Sequence, residues 1–359
     1  MAWQSIEGHD DVVDAFRRAL ARGRLASTFL FVGPGGVGKR MFAEKLAQSL
    51  LCQRSPDEAL NPCGTCDACA QVIARTHPDL LIIEKPADKS FIPLDAFVGD
   101  KEHRMREGLC HDIALKPFMG GRRVAIVDDA DYLNEEGANA LLKTLEEPPP
   151  RSVLILIGNS TDRQLPTIRS RCQVVRFRPL DRDYLAGILE SDGTVADASQ
   201  AQRLASMADG SVARAVALAD EELWTFRERL LSALAAPAVP SVMLTQACCE
   251  FVDAAGKEAA LRRARTRQIM TFAADFYRQV LRVQNGLEAD GDAPLVRTVE
   301  KHQQVATTSP DATAACIERT LAAVGHVDRN AHQATSIGCW LDDLAEIVAS
   351  GQPVAEWDA

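Results

Sequence analysis

The chain has 359 residues, 47% of them hydrophobic, which is enough to bury the cores of two or three domains. No apolar run approaches the roughly 18 residues of a membrane span, and Met1 to Asp10 lack a signal-peptide pattern, so we expect a cytoplasmic protein. A formal net charge of −10 argues against a protein that binds nucleic acid over its whole surface. Any DNA contact is therefore expected to be local or shared with partners.

Helical patterns alternate with short β-branched runs as far as about residue 178, which is typical of a parallel sheet covered by helices. The predicted strands are Phe29–Val32, Leu80–Ile83, Val124–Val127, Val153–Ile157 and Val174–Phe177. After Pro179 helical patterns dominate, with Gly193, Gly210 and a proline-containing segment at 236–240 as punctuation. We therefore predict an α/β domain at 1–178, a small helical domain at 179–235 and a larger all-helical domain at 236–359.

A glycine-rich loop between the first strand and a helical pattern has the G-x-x-x-x-G-K form of a phosphate-binding loop. Its backbone N–H groups and the charge of a lysine suit a polyphosphate at a helix N-terminus. The residue after that lysine is normally Ser or Thr and ligates Mg²⁺, but here it is Arg40. The predicted nucleotide contacts in this loop are Gly33, Gly35, Gly36, Val37, Gly38, Lys39 and Arg40.

The strand Val124–Val127 ends in Asp128 and Asp129, as in the second nucleotide motif of P-loop ATPases. Asp128 is predicted to hold Mg²⁺, directly or through water. Hydrolysing enzymes usually carry Glu at the next position, so Asp129 predicts poor activation of water. Arg40 has an alternative role, in which its charge mimics the metal against bound phosphate and allows nucleotide binding without Mg²⁺.

Four cysteines, Cys52, Cys63, Cys66 and Cys69, form a C-x10-C-x2-C-x2-C pattern interrupted by turn-forming residues. Four thiolates suit tetrahedral Zn²⁺ and leave no open ligand position, so the pattern predicts a structural zinc site. Clustered free thiols and a redox pair are the alternatives. The other six cysteines lack ligand spacing and are predicted to be small core residues.

Two further segments, Asn139–Pro149 and Leu165–Cys172, follow these motifs in order. The whole ordered set resembles the bacterial clamp-loader subunits of the AAA+ superfamily, parts of the DNA polymerase III holoenzyme. The resemblance implies an AAA+ P-loop parallel-sheet domain with an inserted zinc module at about 52–69, a helical lid domain and an all-helical collar domain. It further implies a hetero-pentamer with other clamp-loader subunits, which acts on a sliding clamp and primed DNA, without a membrane.

The resemblance also implies roles for single residues. Arg171, in the Ser-Arg-Cys triplet, matches the arginine finger that reaches the ATP of a neighbouring subunit. Asn159 matches a polar sensor near the γ-phosphate, although Ser160 is close enough to compete. Arg214 matches a nucleotide-sensing arginine on the lid, but Ser211 is also a plausible helix N-cap that explains the same local pattern.

The departures at Arg40 and Asp129 separate this chain from the motor subunits of the family. Delta-prime subunits commonly keep the arginine finger while their own nucleotide site decays, and this chain most resembles them. ATP is then a possible ligand, and Mg²⁺ is a doubtful one. The alternatives are a hydrolysing motor of the gamma/tau kind and a zinc-containing nucleotide-binding protein unrelated to replication.

Overall fold

The computed structural model describes residues 8–86, 89–119, 121–305, 308–329 and 331–352. The chain divides into two compact units, Met1–Ala217 and Leu218–Ala359. The domain boundaries at 178 and 235 remain predictions.

The first unit is built on one five-stranded sheet in which every pairing is parallel. The strands run in the order β2-β3-β4-β1-β5. β1, β3 and β4 are buried along their whole length because helices cover both faces of a parallel sheet. The strands are β1 Thr28–Val32, β2 Leu80–Ile83, β3 Arg123–Val127, β4 Ser152–Ile157 and β5 Gln173–Arg176. All five predicted strands are therefore confirmed to within one residue at each end.

The register brings the carboxyl ends of three strands to one edge of the sheet. Phe31 of β1 pairs with Ile157 of β4, and Val127 of β3 pairs with Leu156 of β4. The glycine-rich loop follows β1, the acidic residues follow β3 and Asn159 follows β4. Motifs that are up to about 120 residues apart in the sequence thus meet at one place, which is where open α/β sheets bind ligands.

Ten α-helices begin in the described residues of the first unit. They are α1 Asp10–Ala21, α2 Lys39–Leu51, α3 Asp67–Ile73, α4 Asp95–Val98, α5 Leu109–Asp112, α6 Glu135–Glu146, α7 Pro166–Arg169, α8 Arg182–Ser191, α9 Ala198–Met207 and α10 Val212–Leu218. Each face of the sheet has its own apolar core. One core contains the ring cluster of Phe16, Phe29, Phe31, Phe42 and Phe177, and the other is centred on aliphatic residues such as Leu30 and Leu141.

In the second unit, every helix or strand formed by the described residues is a helix. Its helices are α11 Glu221–Leu234, α12 Ser241–Asp253, α13 Ala259–Gln284, α14 Ala293–Val305, α15 Pro310–Asp328 and α16 Gln333–Ser350. Trp340 is fully buried, and its indole N–H donates to the Thr320 hydroxyl at 3.1 Å. In the described part of the chain, no helix has the length and apolarity needed to cross a membrane.

Candidate functional site

The glycine-rich loop leads from β1 into α2, whose N-cap is Gly38 in the left-handed conformation with φ +94°. Gly36, with φ +75°, lies directly against the start of α10. A methyl group at Gly36 would lie 2.4 Å from the Ser211 hydroxyl and 2.7 Å from Cβ of Ala213. The backbone N–H of Val212 donates to the Gly36 carbonyl at 3.0 Å. The loop and this helix are therefore in direct backbone contact.

Lys39 is only 6% exposed and turns back onto the loop that precedes it. Its Nζ donates to the carbonyl oxygens of Gly33 and Pro34, both at 2.6 Å, and lies 3.4 Å from Oδ1 of Asn159. Burial lowers the pKa of Lys39, and nearby carboxylates such as Asp131 offset part of that effect. Lys39 also lines the cleft described below, where phosphate oxygens can replace the carbonyls as acceptors.

Arg40 is the centre of an ionic network at the mouth of the loop. Its Nε donates to Glu44 at 3.2 Å, its Nη1 donates to Oδ2 of Asp128 at 3.1 Å, and its Nη2 donates to Glu84. Arg75 contacts both glutamates, at 2.7 Å from Glu44 and 3.5 Å from Glu84. Partial burial by itself would lower the pKa of Arg40, but the bonds to Glu84 and Glu44 outweigh it and raise the pKa above its ordinary value.

These contacts bear on the magnesium ion that the resemblance implies. Mg²⁺ demands oxygen ligands in near-ideal octahedral geometry at about 2.0–2.1 Å. Arg40 offers no oxygen, and its permanent positive charge lies on Asp128, the carboxylate predicted to hold the metal. The residues present therefore do not fit a magnesium ion held between this position and Asp128.

Asp129 lies beside Asp128 in the left-handed conformation, with φ +57°, and its N–H donates to Oδ1 of Asp128 at 2.9 Å. Desolvation in the cleft raises the pKa of Asp129, and the charge of Asp128 adds to the shift.

Asn159 is held in place by Asp131. The Asp131 carboxylate accepts the backbone N–H of Asn159 at 2.8 Å and the side-chain amide of Gln164 at 2.6 Å.

The predicted lid residue Arg214 lies in α10, but its side chain binds away from the loop. Its Nη1 donates to Asp209 at 2.6 Å, and its backbone N–H donates to the Ser211 hydroxyl at 3.2 Å. Ser211 thus makes the capping contact that the sequence offered as an alternative. Of the described residues of α10, Val212 and Ala213 line the cleft, whereas Arg214 does not.

A cleft of about 960 Å³ joins these elements within the first unit. Its size is near the upper end of the range for ligand pockets, roughly 300–1,000 Å³. Polar groups converge from the loop and from the ends of β3 and β4, while Leu180 and Ile188 supply apolar walls. The predicted residues that the structure brings to this cleft are Gly35, Gly36, Val37, Gly38, Lys39, Arg40, Asp128, Asp129 and Asn159.

Arg171 lies outside this cleft, just beyond α7. Its side chain is 31% exposed and folds back on its own chain. Nε donates to Glu146 at 2.8 Å, Nη2 also contacts Glu146, and Nη1 donates to the Thr167 carbonyl at 2.8 Å. The backbone of Arg171 is anchored, because its carbonyl accepts the hydroxyl of Thr28 in β1 at 2.8 Å.

The four clustered cysteines converge between α2 and α3. Their sulfur atoms all lie within 4.8 Å of one another, with Cys52 to Cys66 at 4.0 Å and Cys63 to Cys69 at 3.9 Å. A tetrahedron with Zn–S bonds of about 2.3 Å places its sulfurs roughly 3.8 Å apart, so the cluster fits a zinc ion. The N–H groups of Thr65 and Cys66 stabilise the Cys63 thiolate and lower its pKa to about 6.

Sequence reasoning missed two carboxylates that hold residues of the site in place. Glu84 follows β2 directly and binds Arg40, so its position at the carboxyl end of a predicted strand was an available signal. Asp131 is the last acidic residue in the short segment after β3. The sequence does not indicate its partners, because Asn159 and Gln164 lie about 30 residues further along the chain. Only the order of the strands shows that these segments meet.

Comparison with known proteins finds relatives of the first half of the chain. A family model described as DNA polymerase III, delta subunit, matches residues 8–181. The delta' subunit of DNA polymerase III from Pseudomonas aeruginosa is 40% identical over 151 residues, which cover 42% of this chain and 43% of that protein. Residues 8–181 are therefore similar to subunits of DNA polymerase III.

Two relatives from Escherichia coli K12 are different subunits of DNA polymerase III. Its delta' subunit is 34% identical over 202 residues, covering 56% of each chain. Its tau subunit is 32% identical over 223 residues, covering 61% of this chain and 32% of tau. The chain thus spans between 32% and 56% of the lengths of these three relatives.

Proposed function

We propose that this chain is a delta-prime-like clamp-loader subunit that supplies Arg171 to the ATP site of a neighbouring subunit. The observation that carries the proposal is the position of Arg171, on the surface and outside the chain's own cleft. A guanidinium that serves a partner's phosphate must be reachable from outside, and its fork geometry suits phosphate oxygens. The partners are the other subunits of a hetero-pentamer, through which the chain acts on a sliding clamp and primed DNA.

The contact with Glu146 is compatible with this role. Exposed ion pairs contribute only about 0–1 kcal/mol, so exchanging Glu146 for a phosphate costs little. The anchored carbonyl of Arg171 keeps the backbone in place while the side chain changes partner. The Arg171 side chain thus lies on the surface, where a neighbouring subunit can reach it.

The chain's own cleft is proposed to hydrolyse ATP slowly or not at all. Arg40 pairs with Asp128, and Asp129 is one methylene shorter than the usual glutamate and has a raised pKa. The four thiolates hold a structural zinc ion in this proposal, since their spacing fits a tetrahedral shell. The nucleotide-sensing roles of Asn159 and Arg214 and the cytoplasmic location stay predictions.

The test is steady-state ATP hydrolysis by a complex reconstituted with Arg171→Ala. Arg169→Ala is the matched control, because Arg169 is an exposed arginine on the same segment, 3.9 Å from Asp162. Arginine fingers contribute large factors, so we expect a fall of roughly tenfold or more at the site that Arg171 completes, with the control near wild type. Equal rates for the two variants would refute the proposal.

The alternative is a hydrolysing motor subunit of the gamma/tau kind, because a tau subunit is also among the relatives of this chain. It predicts ATP hydrolysis by the purified chain with Mg²⁺ that is lost in Lys39→Ala. Our proposal predicts that wild type and Lys39→Ala are indistinguishable. Arg40→Thr combined with Asp129→Glu then shows whether the rest of the site is competent, because a competent site should become active.

A further inference from the structure

The guanidinium of Arg40 lies in the cleft at the position where P-loop enzymes hold the positive charge of a nucleotide-bound metal. We propose that the chain binds the polyphosphate of a nucleoside di- or triphosphate without Mg²⁺, with the Arg40 guanidinium bridging Asp128 and the phosphate oxygens. The starting observation is the 3.1 Å bond between Nη1 of Arg40 and Oδ2 of Asp128. Arg40 also lines the cleft, beside the loop that encloses Lys39.

The donor geometry of Arg40 leaves it able to serve a second anion. A guanidinium has five N–H donors, and the contacts to Glu44, Glu84 and Asp128 each come from a different nitrogen atom. One hydrogen on Nη1 and one on Nη2 are not needed for these contacts. The three carboxylates hold the guanidinium in place, and its remaining N–H groups can donate to phosphate oxygens.

The charges around the cleft explain why such a cation is needed. Asp128, Asp129 and Asp131 all line the cleft and repel a polyphosphate that brings no metal. Arg40 neutralises Asp128, and Lys39 adds a second charge within the loop. The N-terminus of α2, a helix of 13 residues, contributes backbone N–H groups directed at the same anion.

The same contacts make Mg²⁺ unnecessary and unfavourable. A divalent cation at Asp128 would have to displace Arg40 from the carboxylate and would lie next to a permanently charged guanidinium. The affinity for nucleotide should therefore be insensitive to Mg²⁺. This inference concerns the chain's own cleft and does not rest on the role proposed for Arg171.

The experiment is calorimetric titration of the purified chain with ADP and with ATP, in excess Mg²⁺ and in excess EDTA. For wild type we expect dissociation constants that agree within about twofold in the two buffers. For Arg40→Ala we expect binding in EDTA to weaken by at least about tenfold, because a charge-assisted bidentate contact is lost. Arg17→Ala removes a surface arginine that pairs only with Asp14 among the ion pairs described, and it should match wild type.

A second variant inverts the metal dependence. Arg40→Thr restores a hydroxyl, so its binding should be weak in EDTA and tighten in Mg²⁺. The inference is overturned if wild type loses tenfold or more of its affinity in EDTA, if Arg40→Ala binds as tightly as wild type in EDTA, or if wild type binds neither nucleotide. The wild-type comparison needs no variant, so it decides the matter even if Arg40→Ala fails to fold, which thermal unfolding would show.

Discussion

Replacing Gly36 by Ala tests the contact between the phosphate-binding loop and α10. The added methyl would meet the Ser211 hydroxyl at 2.4 Å, Cβ of Ala213 at 2.7 Å and the backbone nitrogen of Ala213 at 3.0 Å. Backbone atoms cannot rotate away, so α10 has to shift from the loop. The bond from Val212 N–H to the Gly36 carbonyl, 3.0 Å long, would be strained or lost with that shift.

The magnitude follows from three contributions. Adopting φ +75° costs an alanine about 1–2 kcal/mol, overpacking adds about 1–3 kcal/mol, and the backbone hydrogen bond contributes about 0.5–1.5 kcal/mol. Gly23→Ala is the matched control, because Gly23 has φ +62° and nothing lies within 4 Å of the added methyl. The difference between the variants is thus about 3 kcal/mol, or roughly 6–12 °C in Tm for a unit of this size.

The assay is differential scanning calorimetry of the three proteins without nucleotide, with the transition of the first unit as the readout. We expect Gly23→Ala to unfold slightly below wild type and Gly36→Ala to unfold well below both. Equal Tm values for the two variants would show that α10 does not press on the loop in solution, and the description of this contact would then be wrong.

Three further predictions concern other parts of the chain. Cys66→Ser should lower bound zinc from about one ion per chain to nearly none and reduce Tm, whereas Cys339→Ser should leave zinc content unchanged in elemental analysis. Asp79→Ala should destabilise the chain by about 3–5 kcal/mol in urea titrations. The substitution removes a fully buried carboxylate that pairs with Arg123 and accepts two loop N–H groups. A loss of stability below about 1 kcal/mol would contradict this prediction. Burial lowers the pKa of His302, so its folded form prefers to be neutral, and stability should fall as pH drops below its ordinary value of 6.5. His302→Gln should reduce that pH dependence in urea titrations, and an unchanged slope would count against it.

Much of the first unit could be predicted from the sequence because its signals are local. Largely apolar runs of four or five residues predicted the strands, and β1 and β4 differ from their predictions by a single residue. The glycines and Lys39 predicted the loop, and cysteine spacing predicted four thiolates that do converge. Each of these patterns is contained in a short segment whose backbone geometry it dictates.

The ionic contacts of the site could not be predicted because they join distant segments. Arg40 meets Asp128 across 88 residues and Glu84 across 44 residues. Pairing Arg171 with Glu146 requires the packing of α6 against the turn after α7. The sequence raised the possibility that Arg40 mimics a metal charge, but only the strand order shows which carboxylates surround it.

The most direct test of the account is ATP hydrolysis by the reconstituted complex, with Lys39→Ala or Arg171→Ala introduced into this chain alone. The account predicts that Lys39→Ala leaves the rate of the complex near wild type, because this chain's own cleft contributes no turnover. It predicts that Arg171→Ala lowers the rate strongly, because a neighbouring site loses its guanidinium. A strong loss with Lys39→Ala and none with Arg171→Ala would contradict it and would identify this chain as a motor.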